Sequence, residues 1–113
     1  MKTRREGQVV LLGSLEEQVM LAVVRTGGAA YGMSVRRELE TVTGRDITIG
    51  SVYATLDRLE AKGLVTSERT PGSDAVSRRI FSVTASGARS LAQTRTTRDR
   101  LWTGVSLKGL ADL

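Results

Sequence analysis

The chain has 113 residues and a net charge of +5, from 17 basic and 12 acidic side chains. This length fits a single domain and can bury a core without metals or disulfides. The absence of cysteine and histidine excludes disulfides, thiolate metal sites, cysteine nucleophiles and the commonest general base. No apolar run approaches the roughly 18 residues that span a bilayer, so no membrane partner is expected. The surplus of basic residues favours a polyanionic partner.

Residues 1–13 are predicted to form a basic N-terminal arm. They carry Lys2, Arg4 and Arg5 against Glu6. Such an arm can reach DNA, but disorder in the free protein is the interpretation that we favour for a short charged terminus. The "VVLL" that follows is too short for the core of a secretion signal, which predicts a cytoplasmic protein.

Two short helices are predicted next. Ser14 and Glu17 have the spacing of a capping box and predict a helix over residues 14–26. A second periodic stretch predicts a helix over residues 32–43, with Gly44 as its stop. The side chains expected in the core are Leu15, Val19, Ala22 and Val23 from the first helix, and Met33, Val35, Leu39 and Val42 from the second.

The stretch "GSVYATLDRLEAKGLV", residues 50–65, predicts a third helix that is capped by Ser51 and stopped by Gly63. Its apolar face is centred on Ile49, Val52, Leu56 and Leu59. The opposite face is slim, and it consists of Gly50, Ser51, Ala54, Asp57, Arg58 and Ala61, with Tyr53 at its boundary.

After the third helix the pattern changes to short stretches rich in β-branched and aromatic residues. "LVTSERT" and "RRIFSV", separated by the turn signal "PGSD", predict a β-hairpin over residues 64–83. Thr84 then opens a last helix whose middle, "TRTTRDR", is polar on every side. The pattern leaves open whether this helix is continuous through residues 94–100, and it lacks the apolar seam of a long coiled coil.

Three helices followed by a hairpin predict a mainly α protein with a winged helix-turn-helix domain over residues 14–83. The remaining residues, 84–113, are predicted to form a C-terminal dimerisation helix. Their apolar patch is most simply buried against another subunit, with tryptophan as a favoured anchor. A second interpretation makes Trp102 one wall of a pocket for a flat aromatic effector. The patch consists of Leu91, Leu101, Trp102 and Val105.

The slim face of the third helix is the candidate DNA-binding surface. A major groove admits one helix, and a face that includes Gly50 and Ala54 lets that helix lie deep. Ser51, Thr55 and Arg58 carry groups that reach bases or phosphates. Thr48 begins the helix, where free N–H groups favour an anion, and Tyr53 suits a phosphate contact. The alternative is that alanines on an exposed face only favour helix formation, with Tyr53 as a packing residue.

Arginines on the hairpin add to this candidate surface. Arg78 and Arg79 on a wing beside a duplex would neutralise phosphates without reading sequence. Asp57 and Glu60 on the third helix argue against close approach to phosphates. They support the alternative of a winged-helix module that binds protein instead of double-stranded DNA.

No catalytic arrangement is recognisable in the sequence. The only acidic clusters, Glu16 with Glu17 and Glu38 with Glu40, fall on the first two helices. There is no nucleophile–base pair, no phosphate-binding loop and no metal-ligand spacing. We therefore expect neither an enzyme nor a cofactor.

Four segments together resemble the PadR-like transcriptional regulators: "LGSLEEQVML", "YGMSVRRELE", "IGSVYATLDRLEAKGLV" and "SRRIFSVTASGARSL". The resemblance covers about residues 12–92. It implies a homodimeric winged-helix repressor that binds a roughly palindromic operator, dimerises through its C-terminal helix, and in many members is released by a phenolic or drug-like molecule. It also implies a structural position with a phosphate contact at Tyr31, beside Gly32. Ala54 stands where the family commonly has proline.

Overall fold

The computed structural model describes residues 10–71 and 78–112 and forms, within them, four α-helices and a β-hairpin. The predicted bounds of the first two helices and the order of all elements are confirmed. No helix in these ranges is long and apolar enough to cross a membrane. The elements are α1 (Ser14–Thr26), a 3₁₀ turn (Gly27–Ala29), α2 (Gly32–Thr43), α3 (Ile49–Ala61), β1 (Val65–Arg69), β2 (Arg79–Val83) and α4 (Ala85–Trp102).

The caps of α1 and α3 differ from the prediction. Glu16, not Glu17, closes the start of α1 by accepting a hydrogen bond from the Gly13 N–H at 3.0 Å. Glu17 is buried instead, because its carboxylate pairs with an arginine of α4. The cap of α3 is Thr48, whose hydroxyl oxygen accepts from the Ser51 N–H at 3.1 Å, so the predicted cap at Ser51 is wrong.

The turn between α2 and α3 is held by side chains of α2. Gly44 ends α2 with φ of +69°, a left-handed conformation that glycine adopts without strain. Three residues later, the Ile47 carbonyl accepts from Arg36 Nε at 2.9 Å, and the Ile47 N–H donates to Glu40 at 3.2 Å. These bonds satisfy both backbone groups of Ile47 and fix where α3 starts relative to α2.

The core lies between the three helices and the hairpin. Two predicted core residues of α2 are wrong, because Met33 is 37% exposed and Val42 is 58% exposed. Met33 lies on the far side of the helix from the buried Val35. Val42 lies on the buried side but in the last turn, where it borders an open groove. The buried apolar residues are Val19, Met20, Ala22, Val23, Ala30, Val35, Leu39, Val52, Leu56, Leu59, Leu64, Val65 and Phe81.

The hairpin, which we call the wing, pairs β1 and β2 antiparallel from Val65 opposite Val83 to Arg69 opposite Arg79. Phe81 joins it to the helices, since its N–H donates to the Ala30 carbonyl at 2.7 Å and its ring is fully buried. The predicted turn "PGSD" lies, apart from its proline, outside the described residues.

Helix α4 begins against the body of the fold and continues without a break through residues 94–100. Thr84 caps it by accepting from the Gly87 N–H at 3.0 Å. Gly87 is required there, because a Cβ at this position would lie 2.1 Å from the Leu64 carbonyl oxygen. The helix therefore starts in backbone contact with the residues that follow α3.

Polar contacts hold the middle of α4 against the body of the fold. The Leu12 N–H donates to the Thr94 hydroxyl at 3.1 Å, and Arg98 donates to the buried Glu17. Leu91 packs against the core of its own chain, so it does not belong to the exposed patch that the sequence predicted. It lies in the second turn of α4, which still faces the body. The basic segment 1–9 lies outside the described residues.

Candidate nucleic-acid interface

The face of α3 that points away from the core carries no large apolar side chain. Its exposed positions begin with Gly50 in the first turn and end with Ala61 in the last. Arg58 is the only cation among these positions. We call Gly50, Ser51, Ala54, Arg58 and Ala61 the slim face; Asp57, which is exposed among them, is paired with Arg79.

Thr55 is a correction to the predicted contacts. It is only 1% exposed, on the same side of α3 as Val52 and Leu59. Its hydroxyl donates to the Ser51 carbonyl at 2.8 Å and accepts from Arg58 at 3.3 Å. Thr55 thus satisfies its own polar group inside the fold and supports Arg58 instead of contacting a partner.

The first turn of α3 places two hydroxyl groups at the surface. Thr48 and Ser51 are both exposed, and the Thr48 hydroxyl donates to the Ser51 hydroxyl at 2.9 Å. Because the first turn of a helix has N–H groups without intrahelical partners, this end of α3 is suited to an anion.

A cleft of about 500 Å³ lies beside α3, between the start of α2 and the wing. The Arg78 guanidinium lies 4.2 Å from the centre of the Tyr31 ring, and Arg37 donates to the Tyr31 hydroxyl at 3.2 Å. Four arginines line this cleft and make it basic, although one of them, Arg79, is paired with Asp57 and Glu60. Its lining residues are Tyr31, Met33, Arg37, Tyr53, Arg69, Arg78 and Arg79.

Tyr53 connects this cleft to the packing of α2 on α3. Its ring lies directly over Gly32, where an added Cβ would come within 2.3 Å of the Tyr53 Cζ atom. Tyr53 nevertheless remains 37% exposed. It therefore both packs against α2 and presents part of its ring at the surface, so the two sequence interpretations of Tyr53 are compatible.

Arg79 pairs with the two acidic residues that fit the DNA interpretation least well. Its guanidinium donates to Asp57 at 3.1 Å and to Glu60 at 2.7 Å, and lies 4.8 Å from the centre of the Phe81 ring. Partial burial alone would lower the pKa of Arg79, but the hydrogen bonds and charges of Asp57 and Glu60 outweigh it and raise that pKa. Arg79 is therefore paired within the fold, with the carboxylates of Asp57 and Glu60.

The sequence pattern alone does not single out Arg37 or explain Gly32. Arg37 stands in a helix with ordinary surface spacing, and only the fold brings it to Tyr31. Gly32 follows a tyrosine at a helix start, which was a weak signal of close packing.

The apolar side chains at the end of α4 lie open. Leu101 is 74% exposed, Trp102 is 55% exposed and Val105, beyond the end of the helix, is 51% exposed. The helix starts at the body and is 18 residues long, so its end lies about 27 Å from its start. These residues therefore form a separate surface from the basic cleft.

A helix-turn-helix, a wing and a slim third helix beside a basic cleft define a winged-helix DNA-binding protein with an added C-terminal helix. The model of the PadR-like family of transcriptional regulators matches residues 20–93. The chain therefore belongs to the PadR-like family, and it is a DNA-binding transcriptional regulator, not an enzyme. No curated protein matches it in sequence.

Solved structures share the fold. A PadR-like transcription factor from Bacteroides fragilis is 22% identical with a TM-score of 0.68, covering 77% of this chain and 82% of its own. A PadR-family regulator from Eggerthella lenta is 28% identical with a TM-score of 0.64, covering 80% and 82%. A PadR-like regulator from Bacillus cereus is 19% identical with a TM-score of 0.65, covering 79% and 84%.

Proposed function

We propose that this regulator is a homodimeric repressor that binds a roughly palindromic operator with α3 as its recognition helix. The observation that carries the proposal is the slim face of α3 beside the basic cleft. A helix without bulky outward side chains fits deep in a major groove, and Arg37 and Arg78 of the cleft then meet the phosphates on its flank.

Base contacts fall to the slim face. Ser51 and Arg58 carry the polar groups on it, and Arg58 has the fork of donors that recognises a guanine edge or a phosphate. Gly50 and Ala54 contribute by their small size, which permits close approach of the backbone to the bases.

Phosphate contacts fall to the rim of that face. Thr48 offers a hydroxyl and the start of α3, while Tyr31 and Tyr53 border the cleft with their ring ends. Arg78, over the Tyr31 ring, and Arg37, at the Tyr31 hydroxyl, supply the charge. Because phosphate contacts are independent of sequence, these residues would set the position of the protein on the duplex and the salt dependence of binding.

Dimerisation falls to the end of α4. Leu101, Trp102 and Val105 are too exposed to contribute to the fold of one chain, and burial against a second copy would remove them from water. Two copies of α3 would then lie one helical turn of DNA apart, about 34–36 Å. In this arrangement Trp102 would also border any site for a planar aromatic effector, and its fluorescence would report such binding.

The second candidate, a module that binds protein instead of DNA, is less favoured by the charges on α3 than the sequence alone indicates. It rested on the acidic charges of Asp57 and Glu60, and Arg79 now compensates part of that charge within the fold. Absence of any DNA complex from a dimeric sample at low salt would restore this candidate.

Selection of bound duplexes from a random pool tests the proposal, since it reports both the recognised bases and the spacing of half-sites. The selected duplex then serves for variants. Ser51→Glu is expected to weaken binding at least about 100-fold, because it places a negative charge in the groove. Ser86→Glu is the matched control, an exposed serine in the first turn of α4, and it should bind like the wild type.

Specific binding retained by Ser51→Glu would show that α3 is not the recognition helix. Half-sites that are not related by two-fold symmetry would contradict the homodimer. Both variants should keep the wild-type melting temperature, which excludes unfolding as the cause of lost binding.

A further inference from the structure

We propose that Arg79 is a positioning residue of the DNA interface, which holds the wing against α3 and offsets the charges of Asp57 and Glu60 without binding a phosphate itself. This inference rests on the proposed binding of DNA by α3 and the wing. It assigns different roles to Arg78 and Arg79, which are adjacent arginines with identical side chains, and it revises the predicted phosphate contact at Arg79.

The first step is that the guanidinium of Arg79 is already engaged. Its two terminal nitrogens donate to Asp57 at 3.1 Å and to Glu60 at 2.7 Å, while its carbon lies 4.8 Å from the Phe81 ring centre. Its side chain is only 27% exposed. Two of the five guanidinium N–H groups are therefore committed to charge-assisted hydrogen bonds, which are among the strong ones in proteins, and the low exposure limits access to the other three.

The second step is that this contact joins three elements. Arg79 is the first residue of β2, and Asp57 and Glu60 lie on α3. The second oxygen of Glu60 accepts from the Ser67 hydroxyl of β1 at 2.7 Å. Both strands of the wing are thus linked to α3 through one carboxylate, which fixes the angle between the wing and the helix.

The third step concerns charge at the DNA surface. The Asp57 side chain is 59% exposed and that of Glu60 is 34% exposed, so both carboxylates act on a nearby phosphate. Two carboxylates and one guanidinium leave a net charge of −1, against −2 without Arg79. Like charges brought together across an interface are unfavourable, so the loss of Arg79 should weaken DNA binding even if Arg79 never contacts DNA.

Arg78 provides the contrast. Within the described part of the chain its guanidinium contacts the face of the Tyr31 ring at 4.2 Å. Stacking on a ring leaves the N–H groups in the plane of the guanidinium able to donate to a phosphate. The two neighbours therefore differ in what surrounds them, which makes Arg78 the matched control for Arg79.

The test is a mutant cycle on operator affinity with the full chain and the selected duplex. Arg79→Gln is expected to weaken binding roughly tenfold in the wild-type background but less than about threefold in a D57N/E60Q background. Arg78→Gln should weaken binding by the same factor in both backgrounds and reduce the salt slope by about one unit. A loss from Arg79→Gln that is equal in both backgrounds would overturn the inference, because a phosphate contact does not depend on Asp57 and Glu60.

Two further measurements separate the explanations. Operator affinity of the triple variant R79Q/D57N/E60Q should exceed that of Arg79→Gln alone, since removing the acids relieves the exposed charge; an affinity as low as that of Arg79→Gln would contradict the charge-offsetting role. Should Arg79→Gln fail to fold, Arg79→Lys keeps the charge without the two-armed contact and is expected to lose about threefold in the wild-type background only. Loss in both backgrounds would again overturn the inference.

Failure of the proposed function would look different. If neither the wild-type chain nor any variant binds a duplex, DNA binding by α3 and the positioning role are both overturned. A wild-type chain that binds, with Arg79→Gln losing equally in both backgrounds, overturns only the positioning role.

Discussion

The body of the fold and the end of α4 differ in how far their apolar side chains are buried. In the body, Leu59 and Phe81 are fully buried between helices and the wing. At the end of α4, Leu101 and Trp102 are 74% and 55% exposed. The two regions belong to one chain, yet only the first completes its core by itself. The end of α4 therefore presents an apolar surface that the rest of the described chain does not cover.

The middle of α4 lies between these extremes. It is attached by polar contacts, chiefly the pairing of Arg98 with Glu17 and the bond from the Leu12 N–H to Thr94. Hydrogen bonds and ion pairs require a particular geometry, whereas the hydrophobic effect is not directional. The polar stretch over residues 94–100, whose continuity the sequence left open, therefore carries the contacts that orient the helix on the body.

Two leucine truncations give the largest expected contrast. Leu59→Ala should lower the free energy of unfolding by about 3 kcal/mol, because it removes buried methyl groups and leaves a cavity. Leu101→Ala removes the same atoms from an exposed position and should change the unfolding free energy by less than about 0.5 kcal/mol in dilute protein. Urea denaturation measures both. Equal losses would show that the two regions do not differ in the way described.

Two arginine truncations on α4 sharpen the comparison at an intermediate scale. Arg98→Ala should destabilise the fold by about 1–2 kcal/mol, since it leaves the carboxylate of Glu17, 11% exposed, without its partner. Arg95→Ala is the control: its pair with Asp99 spans 4.0 Å between side chains that are 78% and 68% exposed. It should cost less than about 0.5 kcal/mol. A similarly small loss of unfolding free energy from both variants would mean that Arg98 does not hold α4 on the body.

The smallest expected effect lies within the body and depends on pH. The hydrogen bond from Lys62 lowers the pKa of Glu16 below its ordinary value of 4.5, against the opposing effect of burial. A lowered pKa in the folded state means that this pair stabilises the fold above about pH 4.5 and ceases to do so as pH falls through the folded-state value. Glu16→Gln and Lys62→Met should each remove that part of the pH dependence, less than about 1 kcal/mol. An unchanged acid slope would contradict the pairing.

Much of the fold could be predicted because its signals are local. Gly27 and Gly44 end their helices with positive φ, and apolar periodicity marks α1 and α3. The same local reasoning failed where a neighbour distant in sequence decides the outcome. The spacing of Ser14 and Glu17 predicts a capping role for Glu17. Its carboxylate instead pairs with Arg98 of α4, 81 residues away, a partner that local sequence does not reveal.

The candidate site shows the same limit. The slim face of α3 follows from winding one helix, and the residues predicted to lie on it are exposed. Thr55, which was predicted to contact bases or phosphates, is covered by the core. Arg79 could not be separated from Arg78 by sequence, since its partners Asp57 and Glu60 become neighbours only after the wing folds onto α3.

The start of α4 is hydrogen-bonded to the residues that follow α3. The Thr84 hydroxyl donates to the Gly63 carbonyl at 2.7 Å, and its N–H donates to the Leu64 carbonyl at 3.1 Å. Gly87 leaves no space between α4 and Leu64. These contacts therefore hold the start of α4 directly against the residues that follow α3, with no room for a side chain at position 87.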